Sequence, residues 1–321
     1  MVFIEAGVGL ALLLFAADYL VRGAVALARQ SGVSPLIIGL TIVAVGTSAP
    51  EFVTALAASL SGASDMAIGN VVGSNIVNML LILGIAAMIR PINVRAKVIA
   101  RDAMMVVGAT ALFVAIGVTG GYNQWQGSLL LFCLFGYLYL TYKAERVANK
   151  QEALHAREAD DVGGVPGRPW VAVVFLVGGM LGIIVGAKLL VDGGLGIAQA
   201  FDVSRTIVGL TLIAIGTSLP ELAIVIVASL RGHSDIALGN VLGSNIFNLL
   251  GITGGVAMIT PLDMPVEIMS FDIWVLLGVT ILLLPLMITE NKISRLEGRL
   301  LVGLYIAYLA AQLEPVRQLF A

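Results

Sequence analysis

Runs of apolar residues long enough to cross a bilayer recur ten times along the chain, separated by short polar breaks. They fall at 3–28, 34–59, 66–89, 98–118, 126–142, 170–198, 206–229, 236–259, 271–289 and 297–313. A helix spans the hydrocarbon core with about 20 mostly apolar residues, so the pattern predicts an all-α membrane protein of ten transmembrane helices. The longest polar stretch, Lys143 to Pro169, closes with Gly-Gly-Val-Pro-Gly-Arg-Pro and reads as a solvated linker. It divides the chain into residues 1–142, a linker at 143–169, and residues 170–321. The first run carries Asp18 and Arg22, has no basic stretch ahead of it and is longer than a signal-peptide core, so it is expected to stay in the membrane as a helix.

Composition agrees with the pattern. Of the 321 residues, 59% are apolar and only 12% charged, against about 45–50% and about 25% in soluble domains. A chain this apolar could not cover its surface with polar groups in water, which excludes a soluble enzyme, a disordered protein and a nucleic-acid binder. The single cysteine, Cys133, sits in an apolar run, so there is neither a disulfide framework nor a thiolate metal cluster. His155 and His233 both fall in polar connecting segments.

The two halves repeat each other. Residues 44–78 align without a gap to 214–248 at a constant offset of 170, and 21 of the 35 positions are identical. The shared residues include polar ones. Gly-Thr-Ser-Ala-Pro-Glu (46–51) matches Gly-Thr-Ser-Leu-Pro-Glu (216–221), and Gly-Asn-Val-Val-Gly-Ser-Asn-Ile-Val-Asn (69–78) matches Gly-Asn-Val-Leu-Gly-Ser-Asn-Ile-Phe-Asn (239–248). Five helices per half is an odd number, so equivalent helices must cross in opposite directions. The expected architecture is two inverted five-helix repeats, an arrangement common among secondary transporters.

Loop charge orients the chain. The loops after the first, third, fifth, seventh and ninth runs carry fourteen Lys and Arg residues, from Arg29 to Arg299, whereas the other side carries only Arg205 and Arg317. By the positive-inside rule those loops and the linker are expected in the cytoplasm of a plasma-membrane protein, with both termini on the far side.

Glu51 and Glu221 lie deep in apolar runs, where a lone carboxylate costs several kcal/mol and marks a functional site. Each directly follows a proline, which removes a backbone hydrogen bond and pushes against the carbonyl four residues back, at Gly46 and Gly216. Carbonyls around 44–47 and 214–217 are then expected to lose their partners, which an ion can satisfy and lipid cannot. Carboxylate, hydroxyl and carbonyl oxygens at one level form a hard-cation site. Asn70, Ser74 and Asn78, like Asn240, Ser244 and Asn248, are spaced i, i+4, i+8 and make one polar stripe on each of two facing helices. Gly69, Gly73, Gly239 and Gly243 allow close helix approach. A single stripe is as well explained as interhelical glue. Two mirrored copies, each with a buried glutamate, favour ion binding. Asp18 with Arg22, and Lys188 with Asp192, occupy equivalent i, i+4 positions with charges reversed, as expected of structural pairs.

In these motifs the sequence resembles the sodium/calcium exchangers of the cation/calcium antiporter superfamily, in their compact prokaryotic form. The resemblance covers nearly the whole chain and rests on the paired Gly-Thr-Ser-x-Pro-Glu and Gly-Ser-Asn-Ile-x-Asn segments. It implies alternating-access exchange of three Na⁺ for one Ca²⁺, with the first and sixth helices sliding as a bundle past the other eight. It also implies that Glu51 and Glu221 coordinate Ca²⁺. Thr47, Ser48, Ser74, Thr217, Ser218 and Ser244, with the carbonyls of Ala44 and Ala214, would hold Na⁺, and Asn78 and Asn248 would close the centre. Where some relatives, including potassium-dependent ones, end the second repeat in Asp, this chain has Asn248, which argues against K⁺ co-transport. The nearest alternative is a Ca²⁺/H⁺ antiporter of the same fold, whose Gly-Asn-x-x-Glu motif is missing from both Gly-Asn segments. An intramembrane protease would need a nucleophile with a base, a zinc motif or a Gly-x-Gly-Asp pair, and none appears. A passive channel accounts less well for two inverted halves. The expected partners are therefore Ca²⁺, Na⁺ and the lipid bilayer, with no nucleic acid, nucleotide or cofactor, and the protein is expected to be a monomer.

The charge asymmetry yields a direct expectation. A cysteine placed within residues 150–165 reacts with an impermeant thiol reagent only from the cytoplasmic side, and its labelling in intact cells would reverse the orientation.

Overall fold

The computed structural model describes residues 2–93, 96–152, 168–200, 216–288 and 292–312. The helices are α1 (Val2–Ser31), α2 (Pro35–Thr47), α3 (Ala49–Leu60), α4 (Ser64–Ile89), α5 (Ala96–Gly117), α6 (Gln124–Glu152), α7 (Pro169–Ala200), α8 (Leu219–Leu230), α9 (Ser234–Ile259), α10 (Ile268–Met287) and α11 (Arg295–Ala311). Five of these, α1, α4, α7, α9 and α10, are long and apolar enough by themselves to cross a membrane, and α2 with α3 forms one further span bent by 40°. The first half of the seventh apolar run lies outside the described residues, so α8 appears only as a short apolar helix. At the fifth run the helix continues past Lys143 to Glu152. The extension Lys-Ala-Glu-Arg-Val-Ala-Asn-Lys-Gln-Glu is rich in good helix formers, and a helix satisfies its own backbone bonds in water as well as in lipid.

The outer face is apolar, with Phe15, Phe132, Trp125 and Trp170 among the exposed large side chains. That surface suits lipid and not water. The protein is a multi-pass membrane protein.

α1 and α7 pack antiparallel along most of their length, and glycine makes the contact possible. A Cβ built on Gly23 would fall 2.7 Å from the backbone nitrogen of Leu176, and one on Gly186 would fall 2.7 Å from that of Leu13. The two backbones touch, which in a membrane maximises van der Waals contact where no hydrophobic effect drives association. Gly39 on α2 meets Gly239 on α9 in the same way, and Gly243 sits against Leu40. Of the four glycines expected to allow close approach, Gly239 and Gly243 do so. Gly69 faces only a side chain of Ile268, and a Cβ on Gly73 would meet nothing within 4 Å. By the 170-residue offset, the segment that would meet Gly69 and Gly73 lies within 201–215, outside the described residues.

Short antiparallel ribbons tie the halves together. β1 (Ile92–Asn93) pairs with β4 (Lys292–Ile293), and β2 (Gly121–Tyr122) pairs with β3 (Leu262–Asp263). Thr110 and Thr280, which are 170 positions apart, bring their hydroxyls within 3.4 Å of each other. The four loops thus meet as those after the third and ninth apolar runs, and those after the fourth and eighth.

The glycine contacts predict a contrast. Gly186→Ala forces a methyl into the Leu13 backbone and costs about 1–3 kcal/mol as overpacking, read as a lowered melting temperature in detergent. Gly178→Ala, where a Cβ would meet nothing within 4 Å, leaves that temperature unchanged or slightly raised.

Candidate ion-binding site

The α2–α3 bend is built around Ser48. Its backbone (φ −84°, ψ 6°) leaves the helical region, and Pro50 opens the next helix in its first turn. Its counterpart Ser218 has nearly the same geometry (φ −94°, ψ 10°) ahead of Pro220 and α8. The breaks also match in their hydrogen bonds, Phe52 N–H donating to Ser48 O at 3.1 Å and Leu222 N–H to Ser218 O at 3.0 Å. A proline at the start of a helix leaves no amide for the preceding turn, so both breaks place Glu51 and Glu221 in the first turn of a new half-helix inside the protein. Free N–H groups at such a terminus favour negative charge there.

Both carboxylates are sealed from the surface, Glu51 at 1% exposure and Glu221 at 0%. The Ser48 hydroxyl donates to Glu221 Oε1 across the two halves at 3.1 Å. Among the described residues, no donor lies within hydrogen-bond geometry of either oxygen of Glu51, of Oε2 of Glu221 or of Oγ of Ser218. α4 and α9 supply the rest of the lining. Ser74, Asn78, Ser244 and Asn248 are all buried. The Ser244 hydroxyl, the Asn78 side-chain oxygen and both polar atoms of the Asn248 amide have no partner in hydrogen-bond geometry among the described residues. Buried polar atoms are almost always hydrogen-bonded in native proteins, so this concentration of orphaned oxygens marks a place built to bind something. Among the described residues no three His, Cys, Asp or Glu side chains cluster as a metal site. With two carboxylates supplemented by hydroxyls and amides, the donor set is that of a hard cation that is bound and released, not of a resident transition metal.

The carbonyl of Ala44 is less free than the proline argument predicts. It accepts from Ser48 N–H at 3.0 Å and from the Thr47 hydroxyl at 3.2 Å, because the α-helical ladder continues to Ser48 and the amide that Pro50 lacks would have served Gly46. Its counterpart Ala214 lies outside the described residues. Thr47 is buried and also lies 3.2 Å from Asn240 Oδ1. Thr217 is partly exposed and lines a crevice of about 500 Å³ with Pro50, Thr54, Pro220, Lys188 and Asp192. Of the two polar stripes, the outer members act as glue: Asn70 donates to the Glu51 backbone carbonyl at 3.3 Å, and Asn240 meets Thr47. Of the two i, i+4 charge pairs, Asp18 and Arg22 pair at 2.7 Å. Lys188 and Asp192 form no ion pair among the described residues; both are exposed at the crevice.

Sequence reasoning passed over Asn75 and Asn245. Both are fully buried, and Asn245 Oδ1 accepts from the Asn78 amide at 3.3 Å, joining α9 to α4 at the centre. The signal was available in the Gly-Ser-Asn-Ile-x-Asn motif, where Asn75 stands three residues before Asn78 and shares its helical face. Two π-helical turns, Val77–Ile82 and Phe247–Ile252, begin one residue before Asn78 and Asn248. Such turns recur at functional sites, and no proline or charge announces them in the sequence.

A helical membrane protein with paired helix breaks and a sealed, oxygen-lined centre has the construction of an ion transporter. A profile of the sodium/calcium exchanger protein family matches residues 2–143 and 171–314. The inner membrane protein YrbG of Escherichia coli is 39% identical, over 94% of each chain. The sodium/calcium exchanger MaX1 of Methanosarcina acetivorans is 32% identical, over 94% of this chain and 95% of that one. A solved structure of the sodium–calcium exchanger NCX_Mj, soaked with Na⁺ and Sr²⁺, superposes with a TM-score of 0.83 at 34% identity, covering 98% of this chain and all of that one. The protein belongs to the sodium/calcium exchanger family, in its compact prokaryotic form, and is a membrane transporter of the antiport class.

Proposed function

We propose that this protein exchanges Na⁺ for Ca²⁺ across the cell's inner membrane by alternating access, as two inverted five-helix repeats (1–142 and 170–321) joined by a cytoplasmic segment at 143–169. The observation that carries the reading is the sealed pair Glu51 and Glu221, with three of their four carboxylate oxygens unpartnered among the described residues. The reciprocal β1–β4 and β2–β3 ribbons and the Thr110–Thr280 contact support the inverted two-fold. Glu51 and Glu221 take Ca²⁺. Thr47, Ser48, Ser74, Thr217, Ser218 and Ser244, with the Ala44 and Ala214 carbonyls, complete the Na⁺ positions, and Asn78 and Asn248 bound the centre. No cofactor is required.

The charge count gives the transport its electrical character. Asn78 and Asn248 are neutral, so the centre holds two formal negative charges, which one Ca²⁺ cancels and three Na⁺ exceed by one. In a poorly screened interior that excess matters far more than in water. Crossing with Na⁺ therefore moves net charge, and crossing with Ca²⁺ moves almost none. No further carboxylate remains to hold K⁺ beside Ca²⁺.

Sodium-gradient-driven ⁴⁵Ca²⁺ uptake into proteoliposomes tests the reading. Uptake driven by a pH gradient but indifferent to Na⁺ would assign the Ca²⁺/H⁺ alternative instead. Glu51→Gln and Glu221→Gln each nearly abolish uptake while the protein still folds, because an amide is cheaper to bury than a carboxylate; robust uptake by either folded variant would remove the pair from the mechanism.

Replacing K⁺ by choline leaves the rate unchanged, and clamping the membrane potential changes net exchange. Strict dependence on K⁺, or indifference to voltage, contradicts the charge count.

A further inference from the structure

Near the middle of the α1/α7 pair, its contacts with the half-helices α8 and α3 are made by different chemistry. On one side Asp18 of α1 accepts from Nε of Arg231, in the turn after α8, and also pairs with Arg22 at 2.7 Å. Arg22 lies 5.9 Å from the Tyr19 ring centroid, and Tyr19 in turn packs edge-on against Phe175 of α7. The carboxylate thus joins both helices of the pair to the turn at Arg231.

The 170-residue offset maps this cluster onto the other side residue by residue. Asp18 becomes Lys188, Arg22 becomes Asp192 and Arg231 becomes Ser61. The backbone of the two turns is the same, with Gly232 at φ +81° and Gly62 at φ +83°. Only the chemistry differs. Ser61 donates to its own helix at Ala58 O (2.7 Å), and among the described residues Lys188 and Asp192 form no ion pair across the gap. On that side a crevice of about 500 Å³ separates α7 from α3, whereas α1 lies packed against α8 on the Asp18 side.

We propose that Asp18 and Arg231 form a one-sided latch that holds the α1/α7 pair against α8 and so favours the conformation in which the crevice opens between α7 and α3. The inference rests on the alternating-access reading but adds to it a cause for unequal populations of the two states. Arg231 stands in a crowded positive neighbourhood: burial, then Arg231, Arg29 and Arg90 lower the pKa of His233, with Asp235 opposing. Asp18 is the carboxylate on α1 that relieves that crowding. Opening the Asp18 side breaks the bond, and with Ser61 at the equivalent place no bond replaces it.

Reciprocal cysteines read the two states without any transport assay. Thr54 lines the crevice, and Ile224, its counterpart 170 residues on, is fully buried on α8. In a Cys133→Ser background and choline buffer free of Na⁺ and Ca²⁺, Thr54→Cys reacts readily with maleimide and Ile224→Cys slowly. Adding Asp18→Asn or Arg231→Gln raises the Ile224→Cys rate by about threefold, the scale of losing one partly exposed ion pair, and lowers the Thr54→Cys rate by less, because a minor population responds most to a shifted equilibrium. The double variant matches the single ones, since both break the same bond, and Lys188→Gln changes neither rate. Unchanged labelling at Ile224→Cys in Arg231→Gln, or additive effects in the double variant, overturns the latch. Because labelling needs no particular cargo, failure of Na⁺/Ca²⁺ exchange would leave this result standing.

Discussion

Two carboxylates held out of water at the centre of a bilayer-spanning protein are the constraint on which the rest of this structure depends. Charge at that depth is costly, and a second like charge nearby adds to the cost at low dielectric. Both helix breaks and both polar stripes gather around Glu51 and Glu221. The α2–α3 and Ser218–Pro220 breaks aim half-helix N-termini at them. The stripes on α4 and α9 surround them with hydroxyls and amides, and one serine already donates to Glu221. The oxygens left unpartnered are the complement of a dehydrated cation.

The surroundings of this centre divide into a cross-braced wall and a closely packed helix pair beside it. α2 crosses α9 on glycine contacts, and Asn70 and Asn240 knit α4 and α9 to the helix breaks, so the site wall is cross-braced by backbone packing and by hydrogen bonds. α1 and α7 instead pack chiefly on each other, through backbones brought together by glycine. Their grip on the other helices is unequal, firm at Asp18 and loose at the crevice. The pair is bound more closely to itself than to its surroundings.

Much of this was legible in the sequence. The apolar runs mark the helices because a bilayer demands about 20 apolar residues in succession, and the glutamates stand out because charge in such a run is otherwise excluded. The prolines locate the breaks to the residue. Other features were hidden for identifiable reasons. Asn245 is separated from Asn78 by 167 positions, and nothing local tells which asparagine of each motif reaches across. The π-helical turns at Asn78 and Asn248 have no composition signature. The Ala44 carbonyl keeps its partners because the helix runs on to Ser48 before it breaks.

The chain's own pattern therefore determined the helices, the repeat, the family and the acidic pair, since each follows from local chemistry repeated at a fixed offset. Tertiary structure alone decided which of the two charge pairs gains a partner from a neighbouring turn. The same i, i+4 spacing occurs at Asp18–Arg22 and at Lys188–Asp192, and the sequence treats them as equivalent pairs. Only folding brings Arg231 to one and Ser61 to the turn at the other, because contact between residues more than two hundred positions apart is set by how helices pack and not by their order along the chain.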